Sequence, residues 1–390
     1  MNKLKITILL SYISIASASA VIINPALPHI ATQLSLASGQ VEWLVSIFLI
    51  GYVIGQIVYG PIAKRYGDVT TLRIGLCVNL VGIIICLFGG QILSMQVLLI
   101  GRFISAIGSS AGLVCTFIIL NNSVEESTAK SALSFATVSF TLSVSMAVLI
   151  GGVINTYSHW NYCFYALLIH GLIMLGLSFI YKNNKGAGYE LSFVSILENY
   201  REALGSPKLI IFSLTIGVMT VFSYCYSVSG AFITSKMFGF SSAEYGIWNT
   251  VTMVGIVCGS IIMAKIINKY NNLNILTVAL SAFIGLFIVL TGLEITDHIT
   301  PVIFFVLITL LYFVCNFIYP AASHFASNAI ECKSNASGAM NFVNMSTAVV
   351  SVSALGYLPL EYIWSFIVVC LVLPIICLVL LLNIRFIRNN

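Results

Sequence analysis

The chain has 390 residues, of which 59% are apolar and only 7% are charged, and its mean hydropathy is +1.05. Because a soluble domain carries about a quarter charged residues, this composition excludes a soluble globular protein, and the apolar content excludes a disordered chain. The formal net charge is +5, and its meaning depends on where the basic residues lie. The remaining class is a polytopic membrane protein.

Apolar runs long enough to cross a bilayer as helices, which takes about 20 residues each, recur along the chain. The first run follows Lys3 and Lys5 and contains small residues, a pattern that also fits a cleaved signal peptide. Because its apolar character continues through Ile23, we expect a retained helix. No β-barrel alternation is evident, so the sequence predicts an all-α polytopic membrane protein. The twelve predicted spans are 5–28, 43–63, 72–93, 97–120, 131–154, 160–181, 209–233, 245–267, 273–294, 300–322, 338–358 and 361–384.

The basic residues predict the orientation, since cytoplasmic loops of membrane proteins are enriched in lysine and arginine. With the N-terminus inside, 15 of the 17 basic residues fall on the inner side, Lys236 falls on the outer side and Arg102 lies within a span. We therefore expect a multi-pass protein of the bacterial inner membrane with both termini in the cytoplasm. The positive charge indicates topology and not a nucleic-acid surface. The same orientation places Cys332 on the cytoplasmic side.

The longest polar stretch separates six predicted spans from six. At an offset of 204 residues, Gly51 and Gly55 align with Gly255 and Gly259. Weak internal symmetry between two sets of six spans is typical of secondary transporters. The predicted parts are an N-terminal six-helix half at 1–181, a cytoplasmic linker at 182–207 and a C-terminal six-helix half at 208–390.

Several segments resemble the major facilitator superfamily. Residues 60–68, Gly-Pro-Ile-Ala-Lys-Arg-Tyr-Gly-Asp, resemble its signature loop, while 43–56 and 99–108 resemble its second and fourth helices. Residues 24–28, Asn-Pro-Ala-Leu-Pro, and 222–229 resemble the bicyclomycin/chloramphenicol-resistance type of drug:proton antiporter. The resemblance implies the major facilitator fold, with twelve transmembrane helices in two six-helix halves.

The signature loop implies a cytoplasmic gate contact formed by Gly60, Lys64, Arg65, Gly67 and Asp68. In this chain Lys64 replaces an acidic residue of the family pattern and Asp68 replaces a basic one. The two are four residues apart, so an ion pair between them is also expected.

No acidic residue falls in the middle of a predicted span. An intramembrane carboxylate is the usual means of binding a cation or a proton there, and Val21 stands where related exporters place one. Glu42 and Glu244 occupy comparable outer ends of the second and eighth spans, where they either pair in an outer gate or are solvated helix starts. We therefore expect a neutral or anionic substrate.

Arg102 is the one charge within a span, and it either attracts anions in the transport cavity or extends to the outer interface. Other polar and aromatic side chains recur on single helical faces, where lipid cannot satisfy their polar groups. They either line a substrate pocket or form bonds between helices. The predicted pocket residues are Asn24, Arg102, Tyr224, Ser227, Trp248, Asn249, Tyr312, Asn316, Asn341 and Asn344.

The sequence predicts a secondary active transporter that moves a small amphipathic, neutral or anionic organic solute, either a siderophore-like chelate or an antibiotic, by alternating access. The alternative is a proton-coupled multidrug efflux antiporter of the bicyclomycin/chloramphenicol-resistance type. The expected partners are the solute, protons as the coupling ion and the lipid bilayer. We expect a monomer and no enzyme activity, cofactor, metal site or nucleic-acid partner.

Overall fold

The computed structural model describes residues 3–37, 39–123, 126–182, 201, 203–267, 269–330 and 333–389. Every regular element within these ranges is helical. Ten segments are long and apolar enough to cross a membrane, and two shorter apolar helices at Leu142–Tyr157 and Tyr162–Ser178 lie at the fifth and sixth predicted spans. The predicted all-α membrane fold is therefore confirmed. Most of the predicted linker at 182–207 lies outside the described residues. Cys332, which the sequence places on the cytoplasmic side, also lies outside them.

We label the membrane helices α1 to α12 in chain order. Their bounds are α1 Lys3–Gln33, α2 Trp43–Tyr66, α3 Asp68–Gln91, α4 Met95–Ser123, α5 Glu126–Tyr157, α6 Tyr162–Ser178, α7 Pro207–Phe238, α8 Ser242–Ile266, α9 Asn272–Ile295, α10 Pro301–Ser327, α11 Lys333–Tyr357 and α12 Tyr362–Asn389.

Helix α1 is interrupted where the sequence places two prolines close together. Pro25 has no N–H to donate, and its ring would clash with the carbonyl of the preceding turn, so an α-helix cannot continue regularly through it. Pro25 accounts for the end of the helical piece at Val21, and a separate irregularity lies at Tyr12, so the predicted span at 5–28 is a series of shorter helices. These are Lys3–Ser11, Ile13–Val21, a 3-10 turn at Asn24–Ala26, and Leu27–Gln33.

Helix α8 is also interrupted, into Ser242–Asn249 and Thr252–Ile266. The break contains no proline or glycine, but three consecutive β-branched residues, which are weak helix formers, lie at 250–252. The hydroxyl of Thr250 donates to the carbonyl of Ile247 at 2.6 Å, and that of Thr252 donates to the carbonyl of Asn249 at 2.7 Å. Side-chain hydroxyls thus occupy backbone acceptors at the break.

The chain divides into two compact units, which are Met1–Ser192 with Ser241–Gly246, and Phe193–Phe240 with Ile247–Asn390. In the first unit, a Cβ added to Gly51 of α2 would lie 2.6 Å from the carbonyl oxygen of Phe103 on α4. In the second unit, a Cβ added to Gly255 of α8 would lie 2.1 Å from the carbonyl oxygen of Thr309 on α10. The two glycines aligned in the sequence therefore permit the same close helix approach in each unit.

Candidate functional site

Arg102 is completely buried in the first unit and is bonded to backbone carbonyls. Its Nε donates to the carbonyl of Leu44 on α2 at 3.0 Å, and its terminal nitrogens donate to the carbonyls of Ser19 and Ala20 on α1. The guanidinium carbon also lies 4.2 Å from the centre of the Phe48 ring, in a cation–π contact. These contacts join three helices through one side chain.

The two α1 carbonyls belong to the last turn of the helical piece Ile13–Val21. The last carbonyls of a helix have no intrahelical partner, and the negative end of the helix dipole favours a cation there. Arg102 therefore caps the broken helix. The structure differs from both environments expected for this side chain, since it is neither at the interface nor exposed in a cavity; its role in binding an anion stays a prediction.

Asn24 lies three residues after the end of this capped piece. It begins the 3-10 turn, its carbonyl accepts the N–H of Leu27, and its side chain is completely buried. The predicted pocket residues Asn24 and Arg102 thus meet the same break in α1, since Asn24 begins the turn after it and Arg102 of α4 binds the carbonyls before it.

The start of α8, Ser241–Gly246, belongs to the first unit and is bonded there to α1 and α5. The hydroxyl of Ser242 donates to the carbonyl of Pro25 at 2.7 Å and accepts from Nδ2 of Asn155 at 2.7 Å. That same amide nitrogen lies 2.6 Å from Nδ1 of His29. The sequence analysis did not identify this polar cluster, because its members come from three separate segments.

A glycine pair in α5 allows this cluster to form. A Cβ on Gly151 would lie 1.8 Å from the carbonyl oxygen of Ile22, and one on Gly152 would lie 2.3 Å from the carbonyl oxygen of Ser242. The consecutive glycines are the sequence signal that could have indicated a close approach at this point.

The two carboxylates predicted at outer helix ends differ from each other. Glu244 is exposed, and its Oε2 accepts from both the N–H and the hydroxyl of Ser241 at 2.8 Å each, which is a helix-start arrangement. Glu42 directly precedes α2, is completely buried, and has no hydrogen-bond partner at either oxygen among the described residues. The expected Glu42–Glu244 pair is therefore absent from the described chain, and only Glu244 is a solvated helix start.

The second unit contains an aromatic cluster around Tyr312 of α10. The Tyr312 ring lies 4.9 Å from that of Phe222 and 5.8 Å from that of Tyr226, both on α7 and both in edge-to-face contact. Phe366 of α12 lies 6.1 Å from Phe222. Tyr312 itself is half-buried. Tyr226 was not among the predicted pocket residues, although it lies in the segment 222–229 that carries the antiporter resemblance.

Two of the predicted pocket residues, Asn316 and Trp248, form contacts between α8 and α10. Oδ1 of Asn316 accepts from the hydroxyl of Ser260 at 2.9 Å, and its Nδ2 donates to the carbonyl of Tyr312 at 2.8 Å. Asn316 thus forms the interhelical hydrogen bond that was the alternative to a pocket role.

Trp248 is half-buried and stacks on Phe305 with ring centres 5.3 Å apart, and Asn249 beside it is buried.

The remaining pocket candidates lie on α7 and α11. Tyr224 and Asn341 are half-buried, and Ser227 is buried. Asn344 is only 2% exposed, and its Oδ1 has no hydrogen-bond partner among the described residues. Because buried amide oxygens are normally bonded, this acceptor is suited to a water molecule or a solute donor.

The signature loop is a tight connection between α2 and α3. Gly67 has φ 91° and ψ 153°, a conformation that only glycine adopts readily, whereas a Cβ on Gly60 would meet no atom within 4 Å. Asp68 is buried, and its Oδ1 accepts from the N–H of Val69 at 2.8 Å. Lys64 and Arg65 are exposed. The expected Lys64–Asp68 ion pair is wrong for the described structure, because Asp68 bonds to the first turn of its own helix.

Comparison with known proteins agrees with this architecture. The chain is 22% identical over 280 residues to a bicyclomycin resistance protein homolog of Haemophilus influenzae, covering 69% of this chain and 68% of that protein. It is 26% identical over 235 residues to multidrug resistance protein MdtL of Shewanella sp. (strain ANA-3), covering 59% of this chain and 57% of that protein.

Among solved structures, the nucleoside transporter NupG aligns with a TM-score of 0.72 at 14% identity, covering 98% of both chains. The D-xylose-proton symporter aligns with a TM-score of 0.70 at 14% identity, covering 97% of both chains. Residues 8–352 match the Major Facilitator Superfamily itself. With this family match, its signature loop and its glycine-mediated helix pairs, the chain belongs to the Major Facilitator Superfamily and is a multi-pass membrane transporter, not an enzyme.

Proposed function

We propose that this transporter exports small amphipathic, uncharged antibiotics of the phenicol type across the bacterial inner membrane by alternating access. The proposal includes cytoplasmic termini, a monomer, and the two predicted six-helix halves as the moving parts. The drug-resistance names of the relatives support the substrate class.

One observation carries the proposal. The second unit contains half-buried aromatic rings at Tyr312 and Trp248 and a buried, unbonded amide oxygen at Asn344, and no acidic side chain lies in the middle of a described span. Aromatic rings and a few hydrogen-bonding groups are the residue types that hold a flat uncharged solute. A cationic drug would lack a counter-charge there.

The charge environment also favours a neutral over an anionic solute. Arg102 is the basic residue that would attract an anion, and its donors are directed to the carbonyls of Leu44, Ser19 and Ala20. A siderophore-like carboxylate would have to displace these bonds. The anionic chelate is therefore the less favoured substrate.

The experiment is chloramphenicol accumulation in cells that lack their own exporters, with each variant at equal membrane abundance. We expect the protein to lower accumulation, and Tyr312→Ala and Trp248→Ala to restore it, because each removes a stacking surface. Tyr319→Ala is the matched control, since Tyr319 lies on the same helix as Tyr312 and is 39% exposed. Full export by both pocket variants would contradict the proposed binding surface.

A further inference from the structure

Glu42 is the most unusual titratable group in the described chain. It lies at the outer end of α2, its side chain is 0% exposed, and neither carboxylate oxygen has a hydrogen-bond partner among the described residues. Buried polar groups are normally hydrogen-bonded, and a buried ionised carboxylate needs a partner even more. The observed burial therefore fits the protonated, neutral acid and not the carboxylate.

Among the described residues, no side chain of the neighbouring helices forms an ion pair or a hydrogen bond with the Glu42 carboxyl group. Helix α2 packs against α4, α3 and α1 in the first unit. The titratable or charged side chains on the outer halves of these helices are Arg102 on α4, Cys86 on α3 and His29 on α1. Arg102 is bonded to three carbonyls, and His29 is within hydrogen-bonding distance of Asn155.

The local electrostatics favour the same protonation state. Burial raises the pKa of Glu42 above its ordinary value. The backbone N–H groups of Glu42 and Gly39 lie close enough to lower that pKa in part, but neither completes a hydrogen bond with the carboxylate. The dominant effect is the loss of hydration.

We propose that Glu42 is a proton-binding site that couples burial of the outer end of α2 to protonation from the outer aqueous phase. Burial takes one proton from that phase, and exposure of the same end to water returns it. A deprotonated Glu42 holds the outer end of α2 exposed, and a protonated Glu42 permits its burial. The coupling rests on the proposed transport function, since it describes a conformational step of the same transport cycle.

Infrared spectroscopy of the purified full-length protein at about pH 7 tests the protonation state directly, because an ordinary glutamic acid is ionised there. We expect a carboxylic C=O band that shifts on transfer to D2O, disappears in Glu42→Gln and persists in Glu361→Gln. Glu361 is the control because it is an exposed carboxylate at another outer helix end. Absence of the band in the wild type, or its persistence in Glu42→Gln, would overturn the proposal.

Thermal unfolding provides a second measurement, and Glu42→Gln is nearly isosteric with the protonated side chain. A raised folded-state pKa gives stability that is fully present below the unfolded-state pKa and is lost as the pH rises through the folded-state pKa. We expect the wild type to lose up to about tenfold in its folding equilibrium per pH unit within that window, whereas Glu42→Gln does not. Equal pH dependence in the two proteins would contradict a buried proton at Glu42.

Chloramphenicol transport in proteoliposomes separates this proposal from the proposed function. We expect wild-type transport to slow as the outer pH rises and transport by Glu42→Gln to be independent of outer pH. If the wild type shows the infrared band but does not transport chloramphenicol, the proton site is supported and the substrate class is refuted. If transport occurs and Glu42→Gln keeps the wild-type pH dependence, the coupling is refuted and the substrate class is supported.

Discussion

Replacement of Arg102 tests whether this side chain stabilises the first unit or serves only the substrate. Arg102→Ala removes the hydrogen bonds to the carbonyls of Ser19 and Ala20, which lie in the last turn of a helical piece. The carbonyl of Leu44 lies inside α2 and keeps its intrahelical partner. A buried acceptor without a partner costs about 1–3 kcal/mol, so two of them cost about 2–6 kcal/mol.

Part of this cost is offset, because the variant no longer buries a guanidinium group. We therefore expect a net destabilisation of about 3 kcal/mol for Arg102→Ala. Arg102→Lys should lie between the wild type and Ala, since an ammonium keeps the charge but loses the planar fork that reaches several acceptors.

The assay is the apparent unfolding temperature of the purified protein, together with its membrane abundance. Arg65→Ala is the matched control, because Arg65 is exposed. Its guanidinium carbon lies 5.3 Å from the centre of the neighbouring Tyr66 ring, in a cation–π contact. We expect a clear drop in unfolding temperature for Arg102→Ala and none for Arg65→Ala. The capping role would be refuted if Arg102→Ala kept wild-type stability but lost transport of an anionic solute. That result would support a role of Arg102 in substrate binding.

Two further predictions concern the signature loop and the topology. Gly67→Ala should destabilise the protein by about 1–3 kcal/mol, because its backbone conformation is almost restricted to glycine, whereas Gly60→Ala should be neutral in the same unfolding assay. Equal effects of the two substitutions would show that the backbone between α2 and α3 can change conformation to accommodate a Cβ at position 67. For the topology, a membrane-impermeant thiol reagent should label Cys332 in inverted vesicles and not in intact cells. Labelling of Cys332 from outside intact cells would overturn the predicted orientation.

The membrane helices of the described chain could be predicted from the sequence because a bilayer crossing takes a long run of apolar residues. Gly51 and Gly255 each lie close to a neighbouring helix, and the sequence alignment at an offset of 204 residues had already paired these two glycines. The environment of Arg102 could not be predicted in this way. It depends on which carbonyls a break in another helix leaves unbonded, and that break lies about 80 residues away in the chain.

The candidate site shows the same limit. Helical spacing identified Trp248 and Tyr312 as pocket candidates, and that role stays a prediction. Periodicity did not distinguish the interhelical bond of Asn316 from the unbonded oxygen of Asn344. Periodicity gives the face on which a side chain lies, whereas its partner depends on the neighbouring helix. Glu42 was expected to be either paired or solvated because it adjoins a loop, and only the folded chain reveals that it is buried.

The capped break in α1 makes two distant positions mutually dependent. If Pro25 were replaced by alanine and α1 became continuous, the following N–H groups would take the carbonyls of Ser19 and Ala20, and the guanidinium of Arg102 would be buried without these acceptors. Replacement of Pro25 by alanine, a change that ordinarily favours a helix, would then lower the stability of the protein that contains Arg102. The same replacement would be tolerated once Arg102 is also replaced. Neither residue can be exchanged independently, so any engineering of the first helix has to treat the proline and the arginine as one unit.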